Sequence, residues 1–208
     1  MPHAPIPEVC VLDPDGDIVR HLRATGRARR AEGWACYHSE MDSFDEGGRE
    51  YGIVGCAVGA PYAVLVAEQM FASGCRLLIS ITSSGQIRAL RPPPYFILIR
   101  ARAPRDEGTS CHYLPPSDHA EADPALIATI AEALSRGGEP VERGTTWTTD
   151  APYRETEQAI EAARARGVLA VEMEAAALYA LPALAGWPFS ASPMSPIRWG
   201  RLVISRRA

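Results

Sequence analysis

Between Glu50 and Ile81 the chain reads strand, turn, helix, strand, and that order leaves few folds open. Glu50 to Val58 carries the nearly continuous apolar run Tyr-Gly-Ile-Val-Gly-Cys-Ala-Val, which suits a strand buried on both faces. Gly59-Ala60-Pro61 makes the turn, and Pro61 falls where a first-turn proline is tolerated because that N–H has no intrahelical partner. Tyr62 to Ser73 then places Ala63, Val66, Ala67 and Met70 on one helical face, with Gly74 as C-cap. Arg76 to Ile81 is a second buried strand. Two strands joined by a helix within about 30 residues form a βαβ unit, so a parallel pair with a right-handed crossover is expected. The fold class is α/β.

The remaining segments extend the alternation. Glu8 to Leu12 reads as a strand ended by the turn Asp13-Pro14-Asp15-Gly16-Asp17, and Ile18 to Ala31 as a helix capped by Asp17. Tyr95 to Ala101 reads as a strand, Arg105 to Pro116 as a polar loop, and Asp123 to Ser135 as a helix with Pro124 in its first turn. Val141 to Thr149 is β-rich, and Glu155 to Arg166 is an amphipathic helix ended by Gly167. Val168 to Val171 reads as a short strand and Glu172 to Leu181 as a helix stopped by Pro182. Beyond Pro182 the periodicity fades until Leu202 to Ser205, read as a last strand. The 208 residues are taken as one domain, 1–208, with 182–208 as an atypical C-terminal segment.

Composition narrows the partners. A net charge of −4 and a pI near 5.8 give no global basic field for a nucleic-acid backbone. The uncharged stretch Tyr51 to Ala67 is interrupted by Gly52, Gly55, Gly59 and Pro61, and no membrane span or signal-like start is read. Five cysteines without a Cys-x-x-Cys pair suit free thiols in a reducing compartment. His112 and His119 cannot share a helical face across Pro115 and Pro116, so no metal site is expected. The expectation is a cytoplasmic protein that binds neither nucleic acid nor membrane.

Three segments are richer in polar groups than turns of their size require. Thr82-Ser83-Ser84-Gly85 follows the second strand at its carboxyl end, where open α/β sheets place ligands. Its hydroxyls and backbone N–H groups can hold an anion or the edge of a base. Arg105 to Ser110 mixes both charge signs with hydroxyls beside His112 and Tyr113. Val171-Glu172-Met173-Glu174-Ala175-Ala176-Ala177 sets two carboxylates among apolar residues. A buried carboxylate must be hydrogen-bonded, and one facing a cleft suits a vicinal diol. Two apart at a strand-to-helix junction, Glu172 and Glu174 need not point the same way.

Val171 to Tyr179 closely resembles the Val-Glu-Met-Glu-Ala-Ala signature of the purine nucleoside phosphorylase and uridine phosphorylase family. Arg105 to Tyr113, Thr148 to Glu155 and the turn Val58 to Pro61 resemble further motifs of that family, in the family's order. The resemblance implies a three-layer α/β/α sandwich with a mixed central sheet and a cleft at the strand carboxyl ends. It implies cleavage of a ribonucleoside's N-glycosidic bond, with inorganic phosphate as co-substrate and no cofactor. It makes Glu174 the catalytic residue, with Glu172, Met173 and Glu174 at the ribose and Gly59 and Ser83 at the phosphate. Ser84, Gly85, Asp150 and Tyr153 would form the base pocket. It also implies a homo-oligomer, a dimer or a hexamer, with His112 as the interface candidate.

Five positions depart from the family's pattern. Ser80 stands where an arginine reaches the phosphate, and Asp13 to Asp17 is acidic where a Gly-Asp-Pro-x-Arg loop binds it. Such a loop would repel a phosphate dianion. Ala57 replaces a glycine of the turn, and Pro152 an aromatic that stacks on the base. Arg206 follows Ser205 where the family carries the acid that protonates a purine, so a diverged or truncated terminus is expected. Three readings stay open: a phosphorylase for a pyrimidine or unusual ribonucleoside, a phosphate-independent N-glycosidase, and a catalytically impaired nucleoside-binding member.

Overall fold

The computed structural model describes residues 6–92, 95–99, 103–104, 108–115, 117–137, 141–181 and 200–206. Arg105 to Glu107 of the polar loop and residues 182–199 of the C-terminal segment lie outside the described residues.

The fold is a mixed sheet layered with helices, built on β1 (Val9–Asp13), in which all five residues are buried. β4 (Arg49–Gly55) pairs with β1 in parallel on one side and β5 (Leu77–Ser83) on the other. The βαβ unit is therefore present, with α2 (Ala60–Ala72) as its helix, but its two strands do not pair with each other. The expected direct pair is corrected: the fully apolar Val9 to Leu12 takes the middle position between them. β13 (Gly200–Arg206) runs parallel to β5 and antiparallel to β7 (Phe96–Ile99), and β10 (Val141–Gly144) runs parallel to β7. On the far side, β3 (Met41–Glu46) folds back antiparallel on β4 through Gly47-Gly48, both at positive φ. β2 (Arg29–Arg30) closes that edge, giving the order β10-β7-β13-β5-β1-β4-β3-β2.

Two boundaries differ from the sequence reading. α1 (Asp17–Ala24) stops well before Ala31, because Gly26 at φ 68° ends it and the arginines beyond turn into β2. Glu172 belongs to a strand, β12 (Ala170–Glu172), rather than to the following helix α5 (Ala175–Ala180). β12 lies between β6 (Gly85–Gln86) and β11 (Thr146–Thr148) in a second, three-stranded sheet. β8 (Ala103–Pro104) and β9 (His119–Ala120) form a small pair.

All six residues of α5 are buried, and it packs against α2. Alanines are prominent among the buried residues of both helices, Ala60, Ala63 and Ala67 on α2 and Ala175 to Ala177 on α5, all in one core cluster. Small side chains let the two helices approach closely and bring their N-terminal ends together. α3 (Pro124–Gly137) buries only Ile127 and Ala131, and α4 (Glu157–Ala165) buries nothing fully.

Gly144, at the end of β10, has no room for a side chain: a Cβ there would meet Leu169 Cδ1 at 2.1 Å and Cγ at 2.6 Å. Leu169 is itself in the core. Gly144→Ala is therefore expected to cost about 1–3 kcal/mol by overpacking, read as a Tm lower by several degrees. A Tm within a degree of the parent would show that Leu169 can move aside.

Candidate active site

A cavity of about 190 Å³ opens where the carboxyl ends of β1 and β5 meet the junction of β12 and α5. Its position follows from the local chemistry of three turns.

The first turn leaves β1. The Asp13 carboxylate is 1% exposed and accepts N–H bonds from Gly16 at 3.2 Å and Val19 at 2.9 Å. It holds the start of α1 and so fixes the loop that carries Asp15. Asp15 reaches across to β5. Its Oδ2 accepts the Ser83 N–H at 2.5 Å and its Oδ1 the Ser83 hydroxyl at 2.9 Å. Arg20, the neighbouring cation, bonds the Asp15 backbone carbonyl and the Asp17 carboxylate instead.

The second turn joins β12 to α5 and is organised by Glu172. Thr146 and Thr148 on β11 donate to its Oε1 at 3.0 and 2.6 Å. The backbone N–H groups of Glu174 and Ala175 donate to its Oε2 at 2.8 and 2.6 Å. Burial pushes the Glu172 carboxyl up, and these four donors favour its ionised form. Glu172 thus satisfies the free N–H groups at the start of α5 and pins that junction to the second sheet.

Glu174 is the other carboxylate, only 1% exposed. Its Oε1 accepts the Gly59 N–H at 2.8 Å, and its Oε2 has no hydrogen-bond partner among the described residues. Burial, and then the negative charge of Glu172, push its carboxyl up to about 8, against the pull of the Gly59 N–H and the Thr82 hydroxyl. Gly59 can make that bond because of its backbone, φ 90° and ψ 145°, which a residue with a Cβ rarely adopts.

The third turn is the 3₁₀ segment Pro152–Arg154 before α4. In a 3₁₀ turn residues three apart eclipse, so Pro152 and Glu155 share a side, and both line the cavity. Tyr153 lies between them and is fully exposed, 100%. It is not among the residues that line the cavity. Asp150 lines a second, more open cavity of about 500 Å³ together with Leu65, Thr109 and the exposed His112.

Glu172, Met173, Glu174, Ser83, Ser84 and Gly85 all line the first cavity. Gly59 stands behind it, through Glu174. The two expected phosphate contacts have their donors engaged by carboxylates, Gly59 by Glu174 and Ser83 by Asp15. Asp15 and Glu155 are the charged lining residues that the sequence reading did not assign to the site. The acidic turn signalled the first, and the three-residue spacing from Pro152 could have signalled the second. Among the described residues no group of three His, Cys, Asp or Glu is arranged to hold a metal ion. No helix among them is long and apolar enough to cross a membrane.

A mixed sheet carrying a carboxylate pair at one strand-to-helix junction matches one family in particular. The sequence model of the Phosphorylase superfamily matches residues 13–193, and the chain belongs to that family. A DeoD-type purine nucleoside phosphorylase from Myxococcus xanthus is 30% identical over 141 residues, 67% of this chain and 59% of that protein. A guanosine phosphorylase from Halorubrum lacusprofundi is 25% identical over 134 residues, 64% of this chain and 55% of that protein. The chain thus spans under three-fifths of the length of these relatives. The crystal structure of uridine phosphorylase from Vibrio fischeri superposes with a TM-score of 0.78 at 19% identity, covering 98% of this chain and 80% of that one. That likeness fixes the fold.

Proposed function

We propose that the cavity binds a ribonucleoside and that the chain cleaves its N-glycosidic bond with water as the nucleophile. The observation that carries this reading is the Asp15 carboxylate seated on both donors of Ser83. A phosphate dianion would need those same donors and would meet a negative charge at contact distance, which is strongly unfavourable away from bulk water. A carboxylate in that place suits a different task, taking a proton from an attacking water.

The sugar falls to Glu174 and Met173. Glu174 Oε2, buried and without a hydrogen-bond partner among the described residues, is the acceptor for a ribose hydroxyl, and Met173 offers an apolar surface to the ring. As the C1′–N bond breaks, the sugar gains positive charge, and carboxylates fixed around it stabilise that charge without reorganising. Ser84 and Gly85 edge the base. The phosphorylase reading is favoured by the names of the relatives above. A homo-oligomer, dimer or hexamer, working in the cytoplasm and contacting its neighbour near His112, belongs to the same proposal.

The test is to incubate the protein with uridine, inosine and adenosine, with and without phosphate, and to follow free base, ribose and ribose 1-phosphate. Base and ribose are expected at the same rate in both conditions. Asp15→Asn should lower that rate by about 100-fold or more, the usual scale for losing a general base. Ribose 1-phosphate formed only with phosphate present would overturn the choice of nucleophile. Binding without turnover would leave a nucleoside-binding protein.

A further inference from the structure

We draw no further inference here: the strongest candidate, the open cavity of about 500 Å³ between α2 and the 3₁₀ segment Thr109–His112, lined by Leu65, Glu68 and Tyr113 among others, carries nothing because nothing in the structure shows what covers it.

Discussion

Glu174→Gln is expected to bind a ribonucleoside about tenfold more weakly than the parent at about pH 9, and nearly as well as the parent at about pH 6. Tenfold is about 1.4 kcal/mol, below the 1.5–3 kcal/mol of a hydrogen bond to a charged group. The pH dependence follows from the geometry. Glu174 is buried near the negative Glu172, with Asp15 adding a further negative charge, and the Gly59 N–H and the Thr82 hydroxyl oppose them. Its carboxyl holds a proton up to about pH 8, and glutamine imitates that neutral form. The ionised carboxylate is the better acceptor for a ribose hydroxyl, so parent affinity rises with pH while that of the variant stays flat. Turnover should fall further than affinity, because the charge matters most as the sugar becomes cationic. Calorimetric titration of a ribonucleoside and its 2′,3′-dideoxy counterpart over this range is the measurement. A variant that keeps the parent's preference for the ribonucleoside at high pH would remove Glu174 from the sugar site.

The same proton makes stability depend on pH. The folded carboxyl sits above its ordinary value of 4.5, so the folded chain holds a proton that the unfolded chain has released. That contribution is complete below about pH 4.5 and is lost as pH rises through about 8. The parent should therefore lose stability between these values, and Glu174→Gln should lose less.

Glu172→Leu is expected to be the most destabilising change in the site, at least about 3 kcal/mol and a Tm lower by about 6–12 °C. Two threonine hydroxyls and two backbone N–H groups would lose their acceptor at once, at a residue only 4% exposed. Each orphaned buried group costs about 1–3 kcal/mol, and the apolar side chain returns only part of that. Glu172→Gln should cost less, because its carbonyl oxygen still accepts. Thermal unfolding followed by circular dichroism measures both. A leucine variant as stable as the parent would show that the junction holds itself without Glu172.

Much of the frame was legible because it rests on short-range rules. The run from Glu50 to Ile81 announces its helix by Pro61 and its buried strands by unbroken apolar residues, and both are found. Which strand lies between them depends on distant pairing and cannot be read locally. β3 was missed for a physical reason: Met-Asp-Ser-Phe-Asp-Glu buries Asp42, whose side chain is 6% exposed, against Arg23 from α1. A charged residue satisfied across nineteen positions gives no apolar alternation to detect. In the candidate site, Glu172, Glu174 and the Ser83 turn stand out as motifs, and the acidity of the first turn reads as hostile to phosphate. The contact from Asp15 to Ser83 joins residues 68 apart, and only the parallel pairing of β1 with β5 brings them together.

The two outer margins of the large sheet bear on how copies of this chain meet. One margin is β2, only two residues long, both of them exposed arginines, with Arg29 paired to Asp45 and Glu50 and Arg30 to Glu40. The other is β10, which carries Glu142 bonded to Arg91 and an exposed Arg143. A strand from a second molecule arriving at either side would have to displace ion pairs and desolvate charge before its first backbone bond formed. Sideways growth into ribbons is thereby discouraged by charge. On the flank of the sheet, α2 turns Leu65 outward, 43% exposed.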